Sequence, residues 1–160
     1  IAGSNKNKNT LSVDKLKDSN IDAMAIEVDV DDELSCQNMV NQVVDKFQKI
    51  DILVNNAGTN IRKRPEEYSL KEWTSIINTN LVSMFICSKA CYEHFIKNKS
   101  VKIINIGSMM GTVGVENGNY EGTDFTPATS PLYFYEKAKV KNLYSVFSEL
   151  ILFSNLCSSF

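Results

Sequence analysis

Two tyrosine–lysine pairs towards the C-terminal end of the chain have a spacing that suits proton transfer. Tyr133 precedes Lys137 by four positions, and Tyr135 precedes Lys139 by the same interval. On a helix, side chains four apart lie on one face, one turn from each other. An ammonium beside a phenol favours the phenolate, so it lowers the tyrosine pKa from about 10 towards neutrality, where a proton donor or acceptor works. Spacing alone leaves both pairs open.

The bulk properties are those of an ordinary globular protein. The chain has 160 residues, of which 43% are hydrophobic and 22% are charged, so it is long enough for one domain with a core. Its formal net charge of -2 gives no general attraction to nucleic acid or to an anionic membrane surface. No apolar run approaches the ~20 residues that a membrane-spanning helix needs. We therefore expect neither a nucleic-acid nor a membrane partner.

The four cysteines lack the spacing of a metal site. Cys36, Cys87, Cys91 and Cys157 include no Cys-x-x-Cys pair and have no accompanying histidines, so the sequence predicts no bound metal. Cys87 and Cys91 are four apart within an apolar helical pattern, which predicts core thiols. Reduced thiols suit a cytoplasmic location.

Strand and helix patterns alternate along the chain. Runs of apolar and β-branched residues predict strands at 21–30, 50–58 and 101–108. Helical spacing of apolar residues, with a capping box from Ser69 to Glu72, predicts helices over 32–49, after Ser69, over 81–98 and from about Tyr133. This order is typical of an α/β fold with a doubly wound parallel sheet. Such sheets bind ligands beyond the carboxyl ends of their strands.

Four segments in this order resemble the short-chain dehydrogenase/reductase family. They are "DILVNNAG" (51–58), "NTNLVSMF" (78–85), "KIINIGSMMG" (102–111) and "YFYEKAKV" (133–140). The resemblance implies a Rossmann-like sheet. The family's first strand and glycine-rich turn would precede residue 1, and its last strands would follow residue 160. We therefore expect one partial dinucleotide-binding domain over 1–160, truncated at both ends.

The same resemblance selects one tyrosine–lysine pair. The family's lysine is followed by small and β-branched residues, and "KAKV" (137–140) supplies them, which favours Tyr133 with Lys137 over Tyr135 with Lys139. Tyr120 is a third candidate, because its separation from Ser108 is nearer the family's usual interval. Four residues after Tyr120, however, comes an aspartate, which would raise the phenol pKa instead of lowering it.

The family's mechanism implies a role for each of four residues. Tyr133 would give or take the substrate proton, and Lys137 would lower the tyrosine pKa and bind the nicotinamide ribose. Ser108 would donate a hydrogen bond to the substrate oxygen, where charge develops. Asn80 would hold a water that links Lys137 to solvent. Taken without the family, Asn80 is more simply a helix-kinking or capping amide, and Ser108 a strand-end hydroxyl.

Cofactor contacts are implied at two strand ends. Asn56, Ala57 and Gly58 would line the adenosine side of a bound dinucleotide, and a glycine permits close approach of the backbone. Asp29 and Val30 would contact the adenine. Asn56 also has a purely structural interpretation, in which it braces neighbouring strands.

The start of the chain bears on the choice between NAD and NADP. "IAGSN" (1–5) resembles the end of the family's second strand, where an acidic residue would bind the ribose 2′-hydroxyl of NAD. Gly3 and Ser4 occupy that place, with Lys6 nearby. This favours NADP slightly over NAD.

The resemblance implies an NAD(P)-dependent oxidoreductase that interconverts a carbonyl and an alcohol by hydride transfer. "NNAGTN" and "INIGSMM" are most similar to gluconate and other sugar-acid dehydrogenases, so the expected substrate is a small sugar acid or polyol. The expected partner is a second copy of the chain, docked through helices 81–98 and 134–150, with Phe85, Tyr92 and Phe147 among the apolar residues expected to face outwards. The alternative is a catalytically inactive remnant that acts at most as a binding module, because the family's glycine-rich turn is absent. Nicotinamide binding would distinguish the two.

Overall fold

The computed structural model describes residues 1–61, 67–99 and 102–107. The described residues belong to two compact units, one made of 1–53, 83–99 and 102–103, the other of 54–61, 67–82 and 104–107. The helix predicted from Tyr133 lies outside the described residues. No helix within the described ranges combines the length and apolar character needed to cross a bilayer.

Strands and helices alternate along the described chain, as the sequence predicts. The elements are β1 (Ala2–Gly3), α1 (Lys6–Asp18), β2 (Ile26–Glu27), α2 (Glu33–Phe47), β3 (Ile52–Asn55), α3 (Leu70–Ile77), α4 (Ser83–Asn98) and β4 (Lys102–Asn105). A short π-helical turn, Asn78–Val82, separates α3 from α4.

β1 and β2 form a parallel pair of only two residues each. Ala2 is opposite Ile26, and Gly3 is opposite Glu27. The predicted strand over 21–30 is therefore too long, because a hydrogen-bonded ladder extends only as far as its partner strand.

The buried side chain of Asn9 closes the end of this pair. Its Nδ2 donates to the backbone oxygens of Gly3, at 2.7 Å, and Ile26, at 2.9 Å. A Cβ atom on Gly3 would lie 3.1 Å from Asn9 Oδ1. A residue with a side chain at this position would therefore crowd Asn9, whereas glycine leaves room for it.

Helix α1, which carries Asn9, is not predicted from the sequence. It begins after Asn5, whose side chain accepts a hydrogen bond from the Lys8 backbone N–H, as an N-cap asparagine should. Its sequence is rich in lysine and asparagine, and Val13 is its only buried apolar residue. The 3.6-residue apolar period is therefore too weak to predict the helix.

β3 and β4 also pair in parallel, with one face buried. Lys102 donates to the Asp51 oxygen and Ile106 to the Asn55 oxygen. Leu53 and Ile103 pack against the core, whereas Ile52 on the opposite face is 51% exposed. The short apolar runs at 50–58 and 101–108 predict buried strands. The structure instead has an apolar outer face, because successive side chains of a strand point to opposite sides.

The core of the first unit lies where α2 packs on α4. Cys36, Met39 and Val40 of α2 are buried in one cluster with residues of α4 and of β2. The α4 members of this cluster are Ile86, Cys87, Ala90, Cys91 and Phe95. The prediction that Cys87 and Cys91 are core thiols is confirmed.

We predict that glycine is the preferred residue at the C-terminal end of α2. Gln48 there has φ 66°, a left-handed conformation that costs a side-chain-bearing residue about 1–2 kcal/mol. Its side chain also donates to the Asp45 oxygen, so Gln48→Ala is the matched control that removes the amide alone. Gln48→Gly should be about 1 kcal/mol more stable than Gln48→Ala in urea unfolding. Equal stability of the two variants would contradict the prediction.

Candidate functional site

A pair of hydrogen bonds joins the Asn80 side chain to the turn after β3. Asn80 Oδ1 accepts from the Thr59 backbone N–H at 2.6 Å, and Asn80 Nδ2 donates to the Thr59 backbone oxygen at 2.9 Å. Asn80 is only 1% exposed. The amide thus satisfies both backbone groups of one residue, which fixes the end of the "NNAGT" segment. This is a positioning role; the predicted water-holding role of Asn80 is not tested by these contacts.

Helix α3 and the π-helical turn that follows it position Asn80. The predicted capping box is confirmed at the start of α3, where the Ser69 side chain accepts from Glu72 N and the Glu72 side chain accepts from Ser69 N. Ile76 buries the inner face of this helix. Asn80 then lies in the π-helical turn, a distortion often found at functional sites. Asn80 thus lies where the helical path from α3 to α4 departs from α-helical geometry.

A second amide contact joins the ends of β3 and β4. Asn55 Nδ2 donates to Asn105 Oδ1 at 2.8 Å, and Asn55 is buried. The bracing contact seen here is made by Asn55, and the structural interpretation of its neighbour Asn56 stays a prediction. The burial of Asn55 could have been predicted from the alternation of side chains along β3, because Asn55 shares a face with the core residue Leu53.

The predicted adenosine-side residues form an exposed turn. Asn56, Ala57 and Gly58 follow β3 directly and are all exposed. Ala57 and Gly58 have little or no side chain, so a flat ligand ring can approach their backbone closely. Asn80 holds the residue that follows them. This exposed, small-residue turn fits a dinucleotide.

The predicted adenine-contact residues lie in a turn that follows β2. The Asp29 side chain accepts a hydrogen bond from Asp31 N at 3.0 Å, and Asp29 N donates to Ser35 Oγ. Val30 is half-buried against the core. These contacts fix the turn while the Asp29 residue stays exposed.

Ser4, the residue assigned to the ribose 2′ position, is exposed between β1 and α1. Lys6 is the first residue of α1. The other predicted site residues, Ser108, Tyr133 and Lys137, lie outside the described residues; Ser108 directly follows Gly107, with which the described chain ends.

Other ionisable groups take no part in a metal site within the described ranges. No group of three or more His, Cys, Asp or Glu side chains there is arranged to hold a metal ion. Burial raises the pKa of the Cys36 thiol from its ordinary value of 9.0 to about 12 and that of Cys91 also to about 12. Both are therefore neutral thiols at physiological pH.

Residues 1–122 match the family profile described as short chain dehydrogenase. The chain belongs to the short-chain dehydrogenase/reductase family. Four motifs predicted this membership, and they begin at residues 51, 78, 102 and 133. The first three lie wholly within the matched region, and the fourth follows it.

Curated relatives include enzymes with different substrates. The 3-oxoacyl-acyl-carrier-protein reductase FabG of Staphylococcus aureus is 36% identical over 116 residues, which are 71% of this chain and 46% of the relative. The meso-2,3-butanediol dehydrogenase of Serratia marcescens is 35% identical over 92 residues, 58% of this chain and 36% of the relative. The chain spans about half the length of the first of these and about a third of the second.

Solved structures agree on the fold. A proposed gluconate dehydrogenase from Agrobacterium tumefaciens is 28% identical, with a TM-score of 0.74 over 89% of this chain and 52% of that one. The crystal structure of gox2181 has a TM-score of 0.82 at 24% identity, over 96% of this chain and 56% of that one. The predicted Rossmann-like α/β fold is confirmed.

We predict that Asn80→Asp destabilises the protein by about 3 kcal/mol at pH 7. The introduced carboxylate can accept from Thr59 N but cannot donate to the Thr59 oxygen, and it buries an unpaired charge. Its pKa in the folded state is then raised above the unfolded value of about 3.9. The loss of stability is therefore smaller at low pH, where the introduced carboxyl group is protonated in both the folded and the unfolded state. It grows as pH rises through the pKa of the folded state.

Denaturant unfolding of the variant and the wild type at pH 4 and pH 7 measures this difference. The matched control is Asn78→Asp, the same change at an exposed position two residues earlier, which should cost less than about 0.5 kcal/mol. A loss of equal size at both pH values, or an equal loss in the control, would contradict the prediction.

Proposed function

We propose that the protein is an NAD(P)-dependent oxidoreductase that interconverts a carbonyl and an alcohol by hydride transfer. The observation that supports this best is the buried Asn80 amide, which holds the Thr59 backbone at the end of the exposed "NNAG" turn. In a member of this family, that turn lies where a parallel sheet presents its ligand site, beyond the carboxyl end of a strand.

The chain's own residues would bind and orient the dinucleotide. Asn56, Ala57 and Gly58 would line its adenosine side with small side chains and exposed backbone. Asp29 and Val30, in the hydrogen-bonded turn after β2, would contact the adenine. When bound, the nicotinamide supplies or accepts the hydride.

Proton transfer is assigned to three residues beyond the described ranges, with Asn80 in a supporting role. Tyr133 would exchange a proton between its hydroxyl and the substrate oxygen. The Lys137 ammonium would lower the Tyr133 pKa and bind the nicotinamide ribose. Ser108 would donate to the substrate oxygen, and Asn80 would hold a water that connects Lys137 to solvent. We propose a cytoplasmic location, where free thiols stay reduced.

The proposed substrate class is a small sugar acid or polyol. A proposed gluconate dehydrogenase among the similar structures and a butanediol dehydrogenase among the relatives support this class. The acyl-carrier-protein reductase among the relatives supports a 3-oxoacyl thioester instead. Relative kcat/KM for gluconate, 2,3-butanediol and a 3-oxoacyl thioester would separate these classes. The expected protein partner is a second copy of the chain, bound at the exposed face of α4 that carries Phe85 and Tyr92.

A role as a binding module without turnover is the alternative. Titration with NADPH and NADH, followed by an assay of turnover, separates the two functions. Binding without turnover would support the module, and turnover would exclude it.

We predict that Tyr133→Phe lowers kcat by about 10²–10⁴-fold in the whole protein but leaves the cofactor Kd unchanged. Phenylalanine removes the transferable proton and keeps the ring. Lys137→Ala should lower kcat and also weaken cofactor binding, because Lys137 serves both the tyrosine and the ribose. Steady-state oxidation of NAD(P)H and equilibrium titration measure the two effects.

Tyr135→Phe and Tyr120→Phe are the matched controls for this assignment. Each removes one hydroxyl from a neighbouring tyrosine, and each should keep near-normal turnover. Inactivation by either change, with Tyr133→Phe still active, would show that the proton-transferring tyrosine is misassigned.

We predict that Ser4→Asp shifts cofactor preference from NADP towards NAD. A carboxylate at this position repels a 2′-phosphate and accepts a hydrogen bond from a 2′-hydroxyl. The Kd for NADPH should rise about 10-fold or more, whereas the Kd for NADH should stay equal or fall. The control Ser12→Asp adds the same charge at an exposed position further along α1. Parallel changes for both cofactors would contradict the assignment of Ser4.

A further inference from the structure

Three buried thiols lie where α2 packs on α4, and the proposed chemistry uses none of them. Cys36 of α2 and Cys87 and Cys91 of α4 are all free and buried. The Sγ atoms of Cys36 and Cys87 are 3.7 Å apart. A disulfide has a sulfur–sulfur distance of about 2.05 Å, so these two atoms need to approach by about 1.7 Å to bond.

Geometry favours a disulfide between Cys36 and Cys87 over one between Cys87 and Cys91, which both lie on α4. Cys87 and Cys91 are one helical turn apart, which separates their Cβ atoms by about 5–6 Å. A disulfide needs about 3.5–4.5 Å between Cβ atoms. Cys36 and Cys87 lie on different helices with their thiols already in contact. Oxidation would therefore link α2 to α4.

The Cys36 thiol also lies beneath the turn that follows β2. Its Sγ is 3.7 Å from the backbone oxygens of both Asp29 and Val30. A thiol has one hydrogen to donate, and a disulfide sulfur has none. Bond formation would thus remove a donor from below this turn.

We propose that Cys36 and Cys87 form an oxidant-responsive site that closes to an intramolecular disulfide, which fastens α2 to α4 and loosens the Asp29–Val30 turn. The oxidant class is a two-electron thiol oxidant such as diamide. The two thiols lose two protons and two electrons as the sulfur–sulfur bond forms, and the diazene takes up both to become a hydrazine. An effect on cofactor affinity rests on the proposed function, whereas the disulfide itself does not.

Burial determines when this reaction takes place. Cys36 is fully buried, and the thiolate is the form that attacks an oxidant. The folded protein should therefore react slowly, through opening of the α2–α4 contact. After closure, the bond constrains a loop in which the two cysteines are 51 positions apart. Such a constraint disfavours the unfolded chain.

The test is to treat the purified chain with diamide, alkylate the remaining thiols and measure its mass and its disulfide map. Trypsin cleavage after Lys89 separates Cys87 from Cys91, giving peptides 72–89 and 90–97, while Cys36 lies in peptide 18–46. We expect a monomer that has lost two hydrogens and that joins peptide 18–46 to peptide 72–89. Its thermal unfolding midpoint should rise by several degrees and return to the original value with a phosphine reductant.

Variants and hydrogen exchange make the test specific. Cys91→Ala and Cys157→Ser should keep the bond, and Cys87→Ala should lose it. Amides at Asp29–Asp31 should exchange faster in the oxidised wild type. A link to peptide 90–97, only intermolecular disulfides, or no loss of hydrogen would overturn the site. Unchanged exchange at Asp29–Asp31 would overturn its coupling to the turn.

A separate experiment titrates the reduced and the oxidised protein with NADPH and compares the two dissociation constants. Weaker binding to the oxidised protein supports the coupling, and equal binding contradicts it. Absence of binding in both states would contradict the proposed function alone, because the disulfide map does not depend on a cofactor.

Discussion

The close packing of α2 against α4 is the contact on which the described core depends. Cysteine and alanine side chains at Cys36, Cys87 and Ala90 are small enough to let the two helix backbones approach. Val40 and Phe95 then fill the space around them, and Ile26 of β2 packs in the same cluster. Interiors are close-packed, so even one added methylene is felt there. Polarity constrains the interface as much as size, since a thiol is buried at low cost only while it stays protonated.

Buried asparagines make hydrogen bonds at strand ends and in the segment that follows β3. Asn9 caps two backbone oxygens at the end of β1 and β2, Asn80 pairs with Thr59, and Asn55 joins Asn105. A carboxamide offers both a donor and an acceptor without charge, so it can be buried when both are satisfied. At Asn80 this neutral pairing shapes the turn that we assign to the cofactor. The same interaction therefore serves stability and the proposed site.

Local features of this chain are predictable from its sequence, and long-range contacts are not. The capping box of Ser69 and Glu72 was predictable because its two members lie within one helical turn. The partner of Asn80 is 21 positions away, and no periodic pattern encodes such a contact. The strand over 21–30 was overestimated because its length depends on its two-residue partner. The family motifs predicted the fold correctly, while the roles of Tyr133 and Lys137 depend on the family resemblance alone.

The apolar outer faces of β3 and β4 affect how stability varies with temperature. Ile52, Val54 and Ile104 are each between 43% and 53% exposed in the folded state, so water already hydrates much of their surface. Unfolding then adds less apolar surface to water than it would for strands buried on both faces. Because newly hydrated apolar surface is the source of the positive heat-capacity change, these strands contribute less to it. These two strands accordingly contribute less to the curvature of stability with temperature, and so less to the loss of stability on cooling.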